Sequence, residues 1–223
     1  MNGELPTCIL FDLDGTLVDS LAGIEHSARK AFEACQVSFA VAGLRDLIGP
    51  PIRTILSRAG NVSDDKTLDA LEREFRINYD DEGWRNSFCF PQVNAVLRKL
   101  QQGHRLFIVS NKPRHISLRV MEKEGILNYF EEVVTPDSRC PSYTGKDQMI
   151  TTLLHRHSIP VGESVMIGDT SEDANAAAAA GISFIWMKYG YGNASHLASV
   201  PVSLALDEFS QLLSLLTKEP VLD

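Results

Sequence analysis

Cysteine is scarce: there are four in 223 residues, at Cys8, Cys35, Cys89 and Cys140, with no Cys-x-x-Cys pair. Such scatter argues against a disulfide framework or a zinc knuckle, and for free thiols in a reducing cytoplasm. Long apolar runs are missing as well. None approaches the ~20 residues that a membrane-spanning helix needs. Met1-Asn2-Gly3-Glu4-Leu5-Pro6 places no basic residue ahead of the first apolar run, and that run meets Asp12 and Asp14 at once, so a secretory leader is not expected. Positive charge in excess is absent: 29 acidic residues oppose 21 basic ones, a formal net charge of −8. Nucleic acid and anionic membranes are therefore not expected as partners. HExxH, GxSxG and Walker loops do not occur, which removes three common routes to hydrolysis and nucleotide chemistry. What remains is 44% apolar and 22% charged, ordinary for a globular protein and long enough for one large or two small domains.

Short apolar runs alternate with helix-like stretches. The runs are Cys8-Ile9-Leu10-Phe11, Leu106-Phe107-Ile108-Val109, Val133-Val134, Ser164-Val165-Met166-Ile167, Ile182-Ser183-Phe184-Ile185-Trp186 and Val202-Ser203-Leu204. Runs this short, bounded by polar residues, Gly or Pro, fit strands buried on both faces. Val93 to Gln102, Pro113 to Glu124, Asp147 to His157 and Asp207 to Thr217 read as helices. The small side chains of Ala176 to Ala180 suit a helix pressed onto a sheet, with Gly181 ending it. This alternation predicts an α/β fold with a Rossmann-like parallel sheet. One interval breaks the rhythm. Residues 18–87 offer no convincing strand, but helical stretches at Leu21 to Cys35, Pro51 to Ala59 and Lys66 to Tyr79. Roughly 70 residues is more than one crossover needs. The interval is expected to form a small α-helical domain, inserted into a core made of residues 1–17 and 88–223. Val18-Asp19-Ser20 and Ser87-Phe88-Cys89-Phe90-Pro91 would be its hinges.

Ligands of an open parallel sheet sit beyond the carboxyl ends of its strands. After the first run come Asp12, Leu13, Asp14, Gly15 and Thr16; after the second, Ser110, Asn111 and Lys112; after the fourth, Gly168, Asp169, Thr170, Ser171, Glu172 and Asp173. Carboxylates gathered at one edge repel and resist ionisation unless a cation neutralises them. An all-oxygen set with positions left for water and phosphate describes Mg²⁺. Gly15 lets the backbone turn and approach an anion closely.

Ile9-Leu10-Phe11-Asp12-Leu13-Asp14-Gly15-Thr16-Leu17-Val18-Asp19-Ser20 resembles the first motif of the haloacid dehalogenase superfamily. Ser110-Asn111-Lys112 resembles its second motif, and Gly168-Asp169-Thr170-Ser171-Glu172-Asp173 its fourth. Order and spacing hold over nearly the whole chain, and the helical insert is similar to the family's type-one cap. Gly49-Pro50-Pro51-Ile52-Arg53 and the stretch from Tyr79 to Gly83 are similar to segments of phosphoglycolate phosphatases. The resemblance implies a Mg²⁺-dependent phosphatase of a small phosphorylated metabolite, cytoplasmic, monomeric or homodimeric. It makes Asp12 the nucleophile that carries an aspartyl-phosphate and Asp14 the acid and base. Asp12, the Asp14 carbonyl and Asp169 would hold the metal, with Asp173 beside them. Ser110 and the amides around Leu13, Asp14, Gly15 and Asn111 would hold the phosphoryl oxygens, and Thr16 would orient the loop. Arg53 is the candidate for reading substrate from the cap.

The family's third motif commonly reads Lys-Pro-x-Pro. Here Thr144-Gly145-Lys146-Asp147-Gln148 has the lysine without either proline, so Lys146 is the expected charge-balancing residue and Lys112 its rival. Dehalogenases of the superfamily lack the second aspartate, so Asp14 argues for phosphoryl transfer. Phosphonatases need a cap lysine, and Lys30 and Lys66 both lie outside the Gly49–Arg53 loop. A phosphomutase of the β-phosphoglucomutase type shares every core residue and stays open; a non-catalytic phosphometabolite-binding protein is the third reading. Blander roles stand beside these. Asp173 could face a helix dipole, Ser110 could cap the next helix, and Arg53 could be an exposed helix arginine. His155 and His157 are expected at the surface, Trp84 at a hinge and Trp186 in the core.

Overall fold

The computed structural model describes residues 5–217. Six parallel strands form one sheet in the order β5-β4-β1-β6-β7-β8: β1 (Cys8–Phe11), β4 (Arg105–Val109), β5 (Glu132–Val134), β6 (Ser164–Gly168), β7 (Ser183–Met187) and β8 (Leu204–Leu206). Every β1 side chain is buried, because helices cover both faces and strand alternation feeds two apolar layers. Ile9 and Phe11 join one layer, with α4 (Val93–Leu100), α5 (Arg114–Lys123) and α9 (Gln211–Leu216). Cys8 and Leu10 join the other, with α6 (Lys146–Arg156) and α7 (Ser171–Ala180). Ala176 and Ala177 of the small-residue tract are buried there, while Ala178 and Ala179 face outward. A short α8 (Ala194–Leu197) precedes β8.

Between β1 and β4 the chain leaves the sheet. It forms α1 (Leu21–Ala34), α2 (Ile52–Gly60) and α3 (Asp65–Asp81), with 3-10 turns at Arg45–Leu47 and Gly83–Asn86. Buried Ala28, Ala31 and Phe32 of α1 share a cluster with Leu71 and Phe75 of α3. Asp64 caps α3 by accepting from the Thr67 amide at 2.8 Å. Where this segment departs and returns, β2 (Val18–Asp19) pairs antiparallel with β3 (Phe88–Cys89), Val18 opposite Cys89 and Asp19 opposite Phe88. The sequence gives no sign of this ribbon, since two residues per strand are too few to show alternation.

Two other boundaries differ from expectation. The last strand is displaced from Val202–Leu204 to Leu204–Leu206. The last helix begins at Gln211 rather than Asp207, because the Gln211 side chain accepts from the amides of Asp207 and Glu208 and holds them as a turn. His157 is half-buried, bridging Arg105 and Glu132 against the Phe107 ring, far from the carboxyl edge. All four cysteines are free. Among the described residues no helix is long and apolar enough to cross a membrane.

Candidate active site

The carboxyl ends of β1, β4 and β6 converge, and α6 begins beside them. Asp12 extends β1 by one residue, its amide donating to the Ile167 carbonyl of β6 at 2.9 Å. Its carboxylate and those of Asp169 and Asp173 bring oxygens within 4.8 Å of one another, and all three residues are buried. Lys146, the first residue of α6, donates to Asp12 Oδ1 at 2.8 Å and to Asp173 Oδ1 at 2.6 Å. Position therefore matters more than the absent prolines: Lys146 reaches Asp12, while Lys112 reaches Asp14 at 2.9 Å.

Asp173 does two things at once. Its Oδ2 accepts from the Thr170 amide and hydroxyl, closing a capping box at the start of α7, while its Oδ1 takes Lys146. Asp169 is clamped by the Thr16 hydroxyl on Oδ1 at 3.1 Å and the Tyr191 amide on Oδ2 at 2.7 Å. Trp186, the expected core residue, donates through its indole to the Asp169 carbonyl at 3.0 Å. Gly15 sits at φ +90°, and a Cβ there would collide with the Asp169 carboxylate. Glycine is needed at that position for both the turn and the close approach.

Burial, first, drives the Asp12 carboxyl up; Lys146 pulls it down and Asp173 pushes it up again, leaving it at about 7. Asp169 is held well above the ordinary carboxylate range by burial, Asp173 and Asp12, against the Tyr191 amide and Thr16 hydroxyl. These are acids short of positive charge. Asp12, Asp169 and Asp173 gather three carboxylates around a single ammonium, that of Lys146. A divalent cation closes the difference, and a buried all-carboxylate donor set suits a hard ion such as Mg²⁺. The residues present thus fit the metal.

Above the carboxylates lies a cavity, with Asp12, Asp14, Ser110, Asn111 and Lys112 below and Ile24, Ile48, Ile52, Phe75, Arg76 and Tyr79 of the insert above. Ser110 is buried at this floor and its hydroxyl accepts from the Lys112 amide at 3.3 Å; it does not cap α5. The Asn111 side chain is committed elsewhere, to the Gly49 carbonyl at 3.0 Å and Glu172 at 2.5 Å. That bridge ties the insert's Gly49 loop to the core.

Two expectations need correction. Arg53 does not line the cavity: its guanidinium turns along α2 to Asp65 and Asp69 at 2.8 and 2.6 Å. Acidic residues at the start of α3 outcompete the site for it. The insert arginine at the cavity is Arg76, one turn before Tyr79 on α3. The Gly15 amide is spent on the Val18 carbonyl at 2.8 Å. Leu13 sends its side chain into the apolar core, and Thr16, expected to orient the loop, donates to Asp169 Oδ1. Arg76 and Tyr191 went unread in the sequence because Arg76 meets the cavity only through the packing of α3 and the Tyr191 hydroxyl meets Ser20 and Asp19 at separations of 171 and 172 residues; a helical count from Tyr79 back to Arg76 was the one available signal.

Comparison with known proteins agrees with this arrangement. The family described as haloacid dehalogenase-like hydrolase matches residues 9–187. A phosphoglycolate phosphatase of Vibrio vulnificus is 32% identical over 216 residues, covering 92% of this chain and 93% of its own. The phosphoglycolate phosphatase of Vibrio cholerae is 30% identical, covering 92% and 94%. A haloacid dehalogenase-like family hydrolase from Streptococcus pneumoniae superposes with a TM-score of 0.86 at 24% identity, covering 95% of this chain and 99% of that one, a likeness of fold. The chain belongs to the haloacid dehalogenase-like hydrolases. Within that family it is a hydrolase of phosphate monoesters, similar over nearly its whole length to enzymes named phosphoglycolate phosphatase.

Proposed function

We propose that this chain is a Mg²⁺-dependent phosphatase that hydrolyses a small phosphate monoester through an aspartyl-phosphate on Asp12. The observation that carries the reading is the buried Lys146–Asp12 contact at 2.8 Å, which sets the Asp12 carboxyl group against an ammonium at the floor of the cavity. An Asp12 oxygen attacks phosphorus as the ester P–O bond breaks, and Asp14 gives its proton to the departing alkoxide. Asp14 then takes a proton from water, whose oxygen attacks phosphorus and releases Asp12. Ser110 and backbone amides near Asn111 would hold the phosphoryl oxygens. Asp12, the Asp14 carbonyl and Asp169 would hold Mg²⁺, with Asp173 beside them; when bound, the ion offsets charge on the phosphoryl oxygens.

The insert, residues 18–87, is read as a cap that opens for substrate and closes to exclude water, with the β2–β3 ribbon as its hinge. Its apolar wall over a cavity of about 60 Å³ leaves room for a few water-sized groups, which supports a substrate with a short carbon chain. The relatives named phosphoglycolate phosphatase support the same size class. Free thiols support a cytoplasmic setting.

Phosphate release across a panel of two- to six-carbon phosphate monoesters, with MgCl₂ and with EDTA, tests the reading. Turnover of the small esters with Mg²⁺, lost in EDTA and in Asp12→Asn, is expected. No release from any ester would overturn it, and isomerised sugar phosphate without free phosphate would replace it with a mutase.

A further inference from the structure

Lys112 is used by none of the steps above, yet its ammonium is among the most enclosed charges in the molecule. Its side chain is 4% exposed. It donates to both oxygens of Asp14, at 2.9 and 3.1 Å, and to the Tyr79 hydroxyl at 2.7 Å. A lysine has three N–H groups, and these contacts use all three. None is left for a phosphoryl oxygen, so whatever Lys112 does for the reaction it does through Asp14.

The three partners come from three parts of the chain. Asp14 follows β1, Lys112 follows β4, and Tyr79 belongs to α3 of the insert. The Lys112 backbone is fixed on both sides, its amide on the Ser110 hydroxyl and its carbonyl on the Ser117 hydroxyl, each at 3.3 Å. Tyr79 is fixed as well: its ring stacks on Phe75 with centroids 5.2 Å apart, and Gly83 lies so close that a Cβ there would touch it. One ammonium gripping both carboxylate oxygens sets the plane of that carboxylate. The grip is completed only when α3 stands over the site.

We propose that Lys112 and Tyr79 are positioning residues: together they orient the Asp14 carboxylate for proton transfer and make that orientation depend on the insert being in place. The proposal rests on the phosphatase reading above. A fixed carboxylate matters most where the leaving group needs a proton. An alkoxide needs one; p-nitrophenolate departs without it. Loss of positioning is therefore selective for alkyl esters in kcat/KM, which reports formation of the aspartyl-phosphate and not its hydrolysis by water, whereas general damage to the site is not.

The test uses the full-length protein as wild type, Lys112→Met, Tyr79→Phe and the double variant. Each is assayed with a small alkyl phosphate found in the panel above and with p-nitrophenyl phosphate. Lys112→Met is expected to lower kcat/KM about 100-fold on the alkyl ester and about tenfold or less on the aryl ester. Tyr79→Phe should show the same selectivity at about three- to tenfold, and the double variant should lose no more than Lys112→Met alone. Equal losses on both esters, or fully additive losses in the double variant, overturn the proposal. If Lys112→Met does not fold, the near-isosteric Tyr79→Phe decides by the same ratio of esters. Wild-type protein that releases phosphate from neither ester overturns the phosphatase reading itself, whereas a working wild type with unselective variants overturns only the positioning role.

Discussion

The ammonium of Lys146 lies 2.8 Å from Asp12 Oδ1, although 134 residues separate them. It also holds Asp173 at 2.6 Å, and its side chain is 2% exposed. Burial alone would lower this lysine's affinity for its proton; Asp12, Asp173 and Glu172 reverse that and keep it charged. Lys146→Met would leave two buried carboxylates facing each other. Removing one member of such a group costs about 3–5 kcal/mol. Urea denaturation in EDTA should show a loss of that order, and kcat should fall by at least about 100-fold. A variant as stable and as active as wild type would mean that the contact is incidental.

Cation binding can be read without turnover. Anything bound only by the folded state raises its stability, by about 2.7 kcal/mol at a concentration 100 times Kd. Calorimetry should show the melting temperature of wild-type protein rising with MgCl₂ and that of Asp169→Asn unmoved. Gly190→Ala should weaken the response, because its Cβ would collide with the Asp169 side chain. Displaced supporting contacts typically cost 10- to 100-fold in metal affinity. An equal rise in wild type and Asp169→Asn would remove Asp169 from the metal site.

Two of the insert's arginines, Arg53 and Arg76, should differ in their effect on catalysis. Arg76→Ala takes a cation from the cavity wall, so KM should rise more than kcat falls. Arg53→Ala breaks pairs with Asp65, Asp69 and, at 3.7 Å, Glu72, none of which lines the cavity, so both constants should stay near wild type. Steady-state kinetics on the preferred ester decides, and the reverse pattern would return Arg53 to the site.

Asp137 anchors the start of α5, its carboxylate accepting from the Arg114 amide at 3.0 Å and the Thr135 hydroxyl at 2.7 Å. Burial pushes its carboxyl up, but the Thr135 hydroxyl and Arg114 amide outweigh this and hold it below its ordinary value. A lowered acid adds stability above its unfolded value of 3.8 and loses it as pH falls through the folded value. Asp137→Asn should be less stable than wild type near neutrality. The gap should be about 0.5 kcal/mol, small because the group is exposed. It should narrow as pH drops below 3.8. Urea titrations at several pH values measure it; a gap independent of pH would contradict the assignment.

The sheet was readable because five runs, from Cys8–Phe11 to Ser183–Met187, are buried on both faces and so carry little polar residue to confuse the pattern. The order of the strands was not, since neighbours such as β1 and β6 are set by crossovers between residues more than 150 apart. Asp12, Asp14 and Asp169 could be placed because each follows a strand. Arg53 misled because its partners, Asp65 and Asp69, come from a different helix. The same limit hid Tyr79's hold on Lys112: a hydrogen bond between insert and core leaves no periodicity in either segment.

The decisive experiment is rapid acid quenching of the enzyme during turnover of a ³²P-labelled ester, followed by digestion and peptide mapping. Label should appear on the peptide that contains Asp12 within the first turnover and, with labelled p-nitrophenyl phosphate, whose leaving group needs no proton, accumulate further in Asp14→Asn, where deprotonation of water is slowed. Label on another residue, or full release of phosphate by Asp12→Asn, would show that hydrolysis does not pass through Asp12.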